Sequence, residues 1–91
     1  MERVREKILR KAIERYGRGP QRDKAIEELS ELIRTLARCD DPANLAEEMA
    51  DVRIMLDQLE LIFNNHDKVK QYEFEKLTRL SQRLRVCDTV G

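Results

Sequence analysis

The sequence predicts an all-α protein: a four-helix, bundle-like protomer forming one domain over residues 1–91. Three observations predict it. Four segments carry apolar residues at the i, i+3, i+4 spacing of a single helical face. Three glycines and two prolines in 91 residues leave too few turns for a many-stranded β-sandwich. Hydrophobic residues make up 41% of a chain that is also 40% charged, which is not the composition of a disordered segment. Aromatics are 4%, with no Trp, so the core is expected to be aliphatic.

The first helix is expected over residues 2–16, with Val4, Ile8, Leu9, Ala12, Ile13 and Tyr16 on its apolar face. Gly17 and Gly19 then break the chain, because glycine accepts the positive φ common just past a helix end. Pro20 suits a first helical position, where its missing N–H is not needed. The second helix is expected over residues 20–38, with Ala25, Ile26, Leu29, Leu32, Ile33 and Leu36 as its apolar face. In the break Cys39-Asp40-Asp41-Pro42, Asp41 can cap the next helix with Pro42 in its first turn. Asn44 with Glu47 three residues later is an alternative capping box.

The third helix, residues 42–64, carries two apolar stripes. Leu45, Met49, Val52, Leu56, Leu59 and Phe63 form one; Ala46, Ala50, Ile54 and Leu61 form the other. A helix apolar on two sides needs cover on both. A chain this short has few other helices to supply it, so a second subunit is expected on one stripe. Asn65 or Asp67 can cap a fourth helix over residues 67–85, whose apolar face is Val69, Leu77, Leu80, Leu84 and Cys87. His66 reads as a loop residue and residues 87–91 as a short tail.

Charge and cysteine usage narrow the function. Eighteen Lys and Arg balance eighteen Asp and Glu, giving a formal net charge of zero. That argues against a protein that coats nucleic acid by bulk charge. No run of about eighteen residues lacks charge, so no membrane span is expected. The opening Met1–Lys7 has no apolar run of the signal-peptide kind, and a cytoplasmic location is expected. Cys39 and Cys87 then read as free thiols. The single histidine removes most zinc sites and disfavours a Ser-His-Asp triad.

Four acids stand apart from the solvated charge. Glu28-Leu29-Ser30-Glu31 and Glu48-Met49-Ala50-Asp51 each place two carboxylates three residues apart on a helix, where they share a face and can grip one cation. Hard divalent ions such as Mg²⁺ take oxygen ligands of this kind. On the helical wheel Glu48 falls close to the Leu45–Val52–Leu56 stripe and Asp51 beside Met55 and Ile62. An unpaired carboxylate in apolar surroundings is costly, so a partner is implied. Glu28 and Glu31 fall away from the main apolar face of their helix, in a stripe with Gln21, Lys24 and Thr35. Antiparallel packing of the two helices would bring the pairs face to face. The related four-helix di-metal carboxylate proteins use Glu-x-x-His motifs, which this chain lacks, so a redox di-iron site is disfavoured.

The run Ala25-Ile26-Glu27-Glu28-Leu29-Ser30-Glu31-Leu32, followed by Asn44-Leu45-Ala46-Glu47-Glu48-Met49-Ala50-Asp51-Val52, resembles the ExxE…ExxD signature of the MazG-like all-α nucleotide pyrophosphohydrolases, in particular their short phage and prophage members. Tyr16-Gly17, Gln21, Ile54–Leu59 and Lys76–Leu84 are also similar to that group, so the likeness covers nearly the whole chain. The resemblance implies hydrolysis of a nucleoside triphosphate, most readily a deoxynucleotide, to the monophosphate and pyrophosphate. It implies Glu28, Glu31, Glu48 and Asp51 as ligands of Mg²⁺, with Mn²⁺ as the alternative, and assembly as a homodimer or homotetramer.

Charge arithmetic extends that expectation. Four carboxylates meeting a triphosphate of roughly −4 call for two or more divalent ions. One glutamate of the Glu28/Glu31 pair would orient or deprotonate the attacking water. No Ser, Cys or His arrangement points to a covalent intermediate. Lys76, Arg79 and Arg83 share one face of the fourth helix with Tyr72, and an Arg fork can hold the β- and γ-phosphates. With Gln21 and Lys24 they form the expected substrate-binding set. The rival from another class is a non-enzymatic helical dimerisation module of phage or stress-regulatory type. A nucleic-acid binder using Arg79, Arg83 and Arg85 is disfavoured by the zero net charge and the lack of aromatics among them.

Overall fold

The computed structural model describes residues 1–38 and 41–85, in four helices: α1 (Arg3–Tyr16), α2 (Arg18–Arg38), α3 (Pro42–Phe63) and α4 (His66–Leu84). The expectations for Cys39, Cys87 and the tail fall outside the described residues. The Glu2 carboxylate starts α1 by accepting from the backbone N–H groups of Val4 and Arg5. Gly17 ends it at φ 92°, a conformation that would strain any side chain, and its N–H donates to Ile13 O at 2.8 Å.

The second helix begins two residues earlier than the sequence predicts. One positive-φ glycine is enough to turn the chain. Gly19 and Pro20 then fall inside the first turn of α2, where backbone N–H groups have no intrahelical acceptor and proline loses nothing. The Arg18 guanidinium donates to Ile62 O, one of the last carbonyls of α3, and so ties the start of α2 to the end of α3. Asp41 does cap α3, accepting from Ala43 N at 3.0 Å and Asn44 N at 3.1 Å, so the alternative cap at Asn44 is not used. At the other end Asn64 turns into the left-handed region, and the N–H groups of Asn64 and Asn65 both return to Glu60 O.

The start of α4 also departs from expectation. Asn65 holds the cap position but makes no side-chain cap hydrogen bond, and His66 is the first helical residue rather than a loop residue. Its Nδ1 pairs with Glu60 Oε1, which fastens the α3–α4 elbow.

The α2–α3 pair is the main contact of the fold; α1 lies against both, aided by an ion pair from Arg5 to Asp57 at 2.6 Å. Leu9, Ala25, Val52 and Ile62 form the buried apolar core. The face of α2 turned to α3 is not the most apolar one. Gln21, Ala25, Glu28, Leu32 and Thr35 are buried or half-buried, whereas Ile26, Leu29, Ile33 and Leu36 are exposed. On α3 the corresponding inner line is Asn44, Glu48, Asp51, Met55, Gln58 and Ile62. Both lines follow the alternating three- and four-residue spacing of a helix-pair seam.

Among the described residues α4 meets only α3, and none of its residues is buried. The protomer is correspondingly open. Its radius of gyration is 15.8 Å, against about 12 Å for a compact domain of this length. Its accessible surface is 7495 Å², against about 5,500 Å² for a globular monomer of this mass.

Candidate metal centre

The register of the α2–α3 pair is pinned by an amide. Gln58 is fully buried; its Nε2 donates to Leu9 O at 2.9 Å and its Oε1 accepts from Gln21 Nε2 at 3.1 Å. Moving seven residues along α2 from Gln21, and seven back along α3 from Gln58, reaches Glu28 and Asp51; three more reach Glu31 and Glu48. Antiparallel geometry therefore lines up the two acidic pairs once the glutamines are paired.

Three of the four acids converge. One carboxylate oxygen from each of Glu28, Glu48 and Asp51 lies within 4.8 Å of the other two, and all three residues are half-buried. Glu48 Oε2 is shielded from solvent and has no hydrogen-bond partner. Burial raises the Glu48 carboxyl above its ordinary range, with repulsion from Glu31, Asp51 and Glu28 adding to it. Asp51 is raised for the same first reason, burial, and next by the charge of Glu28 and a hydrogen bond to it, which needs a proton between the two carboxyls.

Glu31 stands at the edge rather than at the point of convergence. Its Oε1 accepts from Arg34 at 2.6 Å, while its charge still reaches Glu48. The backbone beneath it is steadied by the buried Thr35, whose hydroxyl donates to Glu31 O at 2.9 Å.

The residues fit a hard divalent cation. Oxygens around one Mg²⁺ sit about 3.0 Å apart when adjacent and about 4.2 Å when opposed, so oxygens already within 4.8 Å of one another would have to draw together to share one ion. An orphaned, shielded carboxylate oxygen is the kind of atom such an ion would satisfy.

The expected substrate residues are placed otherwise. Gln21 is engaged with Gln58 inside the helix pair, its Nε2 donating to Gln58 Oε1. Lys24 Nζ lies 3.2 Å from Glu28 Oε1 and 3.7 Å from Glu27 Oε1, so this exposed lysine pairs with acids of its own helix. These carboxylates, Glu28 first, raise its pKa. Lys76, Arg79 and Arg83 border a shallow groove of α4 with Leu77, Leu80 and Gln82. No contact joins α4 to α2 among the described residues, so one protomer does not bring these cations to Glu28. Gln58 was not singled out from the sequence, although its place seven residues beyond Asp51 on the same line carried the signal.

No family model matches the chain, and comparison with curated proteins and with solved structures finds no match.

Proposed function

We propose that the protein is a Mg²⁺-dependent nucleotide pyrophosphohydrolase of MazG-like type, acting as a homodimer or homotetramer in the cytoplasm, with Mn²⁺ as an alternative metal. The observation that carries this reading is the convergence of Glu28, Glu48 and Asp51, with Glu48 Oε2 shielded and unpartnered. The doubled ExxE…ExxD pattern gives the substrate class, a nucleoside triphosphate cleaved to the monophosphate and pyrophosphate.

In this reading Glu28, Glu48 and Asp51 hold the metal, with Glu31 completing the set at its edge. Bound Mg²⁺ supplies charge neutralisation at the phosphates and makes an attacking water more acidic. One glutamate of the Glu28/Glu31 pair would align that water, and the Arg34 ion pair with Glu31 supports Glu31 in that role. The half-buried setting of the acids strengthens their hold on a cation, because the local dielectric is below that of water. Lys76, Arg79 and Arg83 meet the β- and γ-phosphates from the α4 of a neighbouring subunit. That arrangement answers the absence of any contact between α4 and α2 within one protomer.

The test is a screen of the common ribo- and deoxyribonucleoside triphosphates with Mg²⁺, with the products identified. Monophosphate plus pyrophosphate is expected. Diphosphate plus phosphate, or no turnover of any substrate with either metal, overturns the proposal.

The exposed α4 and the outward apolar residues of α2 favour a second reading, a helical interaction module without catalysis. Metal separates the two. The enzyme binds divalent cations through the four acids, and Glu48→Gln weakens that binding by an order of magnitude or more; a module has no such requirement.

A further inference from the structure

Lys24 sits one helical turn before Glu28 on α2, and its ammonium has two carboxylates in reach. The nearer, Glu28 Oε1 at 3.2 Å, belongs to the converging acids and its side chain is 13% exposed. The other, Glu27 Oε1 at 3.7 Å, is on a side chain 61% exposed and lies outside the convergence. A lysine carries its charge on a flexible four-carbon stem, so movement between two carboxylates one residue apart needs only side-chain rotation. The ammonium on Glu28 Oε1 competes with a divalent cation for that carboxylate's charge, and two cations beside one carboxylate repel each other.

We infer that Lys24 is an internal counter-cation of the acidic centre: it occupies Glu28 in the metal-free protein and withdraws to Glu27 when a divalent ion enters. The inference rests on the proposed metal site and adds to it a built-in competitor. The ammonium offsets the mutual repulsion of Glu28, Glu48 and Asp51 when no metal is present, and it weakens metal uptake by the same interaction. Glu27 is the resting place that makes withdrawal inexpensive, since a solvated ion pair replaces a partly buried one.

The test uses Mn²⁺ binding to the full chain by isothermal titration calorimetry, without nucleotide. Lys24→Met keeps the apolar stem and removes the charge; it should bind Mn²⁺ roughly three- to fivefold more tightly than wild type, the scale of a partly screened charge pair. Its metal-free melting temperature should fall, because the acids lose their counter-charge. Glu27→Gln should weaken Mn²⁺ binding by keeping the ammonium on Glu28. In the double variant the effect of Glu27→Gln should shrink markedly, since it acts through Lys24. A wild-type protein that binds no Mn²⁺ overturns the metal site and this inference together. Mn²⁺ binding that is equal in wild type and Lys24→Met, or a Glu27→Gln effect unchanged by removal of Lys24, overturns the Lys24 role alone and leaves the metal site standing.

Discussion

If a second copy of the chain covers α4, replacing Leu77 and Leu80 by glutamine should dissociate the assembly without unfolding the protomer. Glutamine keeps a strong helix propensity, so the helix itself survives. In the protomer Leu77 is 46% exposed and Leu80 41%. Fully burying a leucine is worth about 1.5–3 kcal/mol, so covering the exposed part of each contributes about 0.6–1.4 kcal/mol. A twofold interface counts each residue twice, which brings the four side chains to about 3–5 kcal/mol, or a rise of about two to four decades in Kd. The excess surface of the open protomer, about 2,000 Å² over a globular monomer, is ample for such an interface, whose usual size is about 800 Å² per partner. On an uncovered helix the same changes alter stability by about 0.5 kcal/mol or less. Sedimentation equilibrium at micromolar concentration decides: wild type should associate, and Leu77→Gln/Leu80→Gln should be a folded monomer or dissociate at far lower dilution. A wild-type protein that sediments as a monomer, or a double variant with unchanged Kd, refutes the reasoning.

Glu48→Gln and Asp51→Asn should each abolish turnover and weaken Mn²⁺ binding by an order of magnitude or more, while raising the metal-free melting temperature by relieving like-charge crowding; calorimetry of each variant with and without metal checks both signs. The raised Glu48 and Asp51 carboxyls mean that the folded, metal-free protein holds protons that the unfolded chain has released, at pH values above the ordinary 4.5 for Glu and 3.8 for Asp. Metal-free stability should therefore fall as pH rises above the ordinary carboxyl range, and saturating Mg²⁺ should flatten the trend; a melting temperature in EDTA that is level or rising as pH climbs from that range contradicts it. Arg79→Ala should raise KM for the triphosphate and lower kcat/KM with Mn²⁺ binding to the substrate-free protein intact, and wild-type kinetics in both Arg79→Ala and Arg83→Ala would leave α4 with packing alone.

The number of helices, their order and most of their ends were legible in the sequence, because caps and breaks are local chemistry. Asp41 accepts from two N–H groups of α3 as its sequence position suggests, and Gly17 carries the positive φ. The start of α2 was misplaced since the sequence offers two glycines and one proline within four residues, and only the backbone shows that Gly17 carries the positive φ. What periodicity could not reveal was which face of α2 points inward. Its apolar line, Ile26, Leu29, Ile33 and Leu36, is exposed in the protomer, and the line with Gln21, Glu28 and Thr35 faces α3. Hydrophobic spacing marks the residues that need cover, without saying whether the cover comes from the same chain.

The acids were legible as residues but not as a geometry, and the reason lies in Gln58. Spacing puts Glu28 with Glu31 and Glu48 with Asp51, yet only the relative slide of α2 along α3 decides whether the pairs meet. A slip of α2 by one turn would leave the buried Gln58 Oε1 without Gln21 as its donor, at a cost of about 1–3 kcal/mol. A core of four buried apolar side chains among the described residues, three of them small or β-branched, offers little shape of its own to resist such a slip. The buried glutamine therefore sets the slide, much as a single polar residue sets register in a coiled coil. The same slide sets Glu28 against Asp51 two turns away. The site and the register are one feature of the α2–α3 pair: its most polar contact holds the alignment that brings its most acidic residues together.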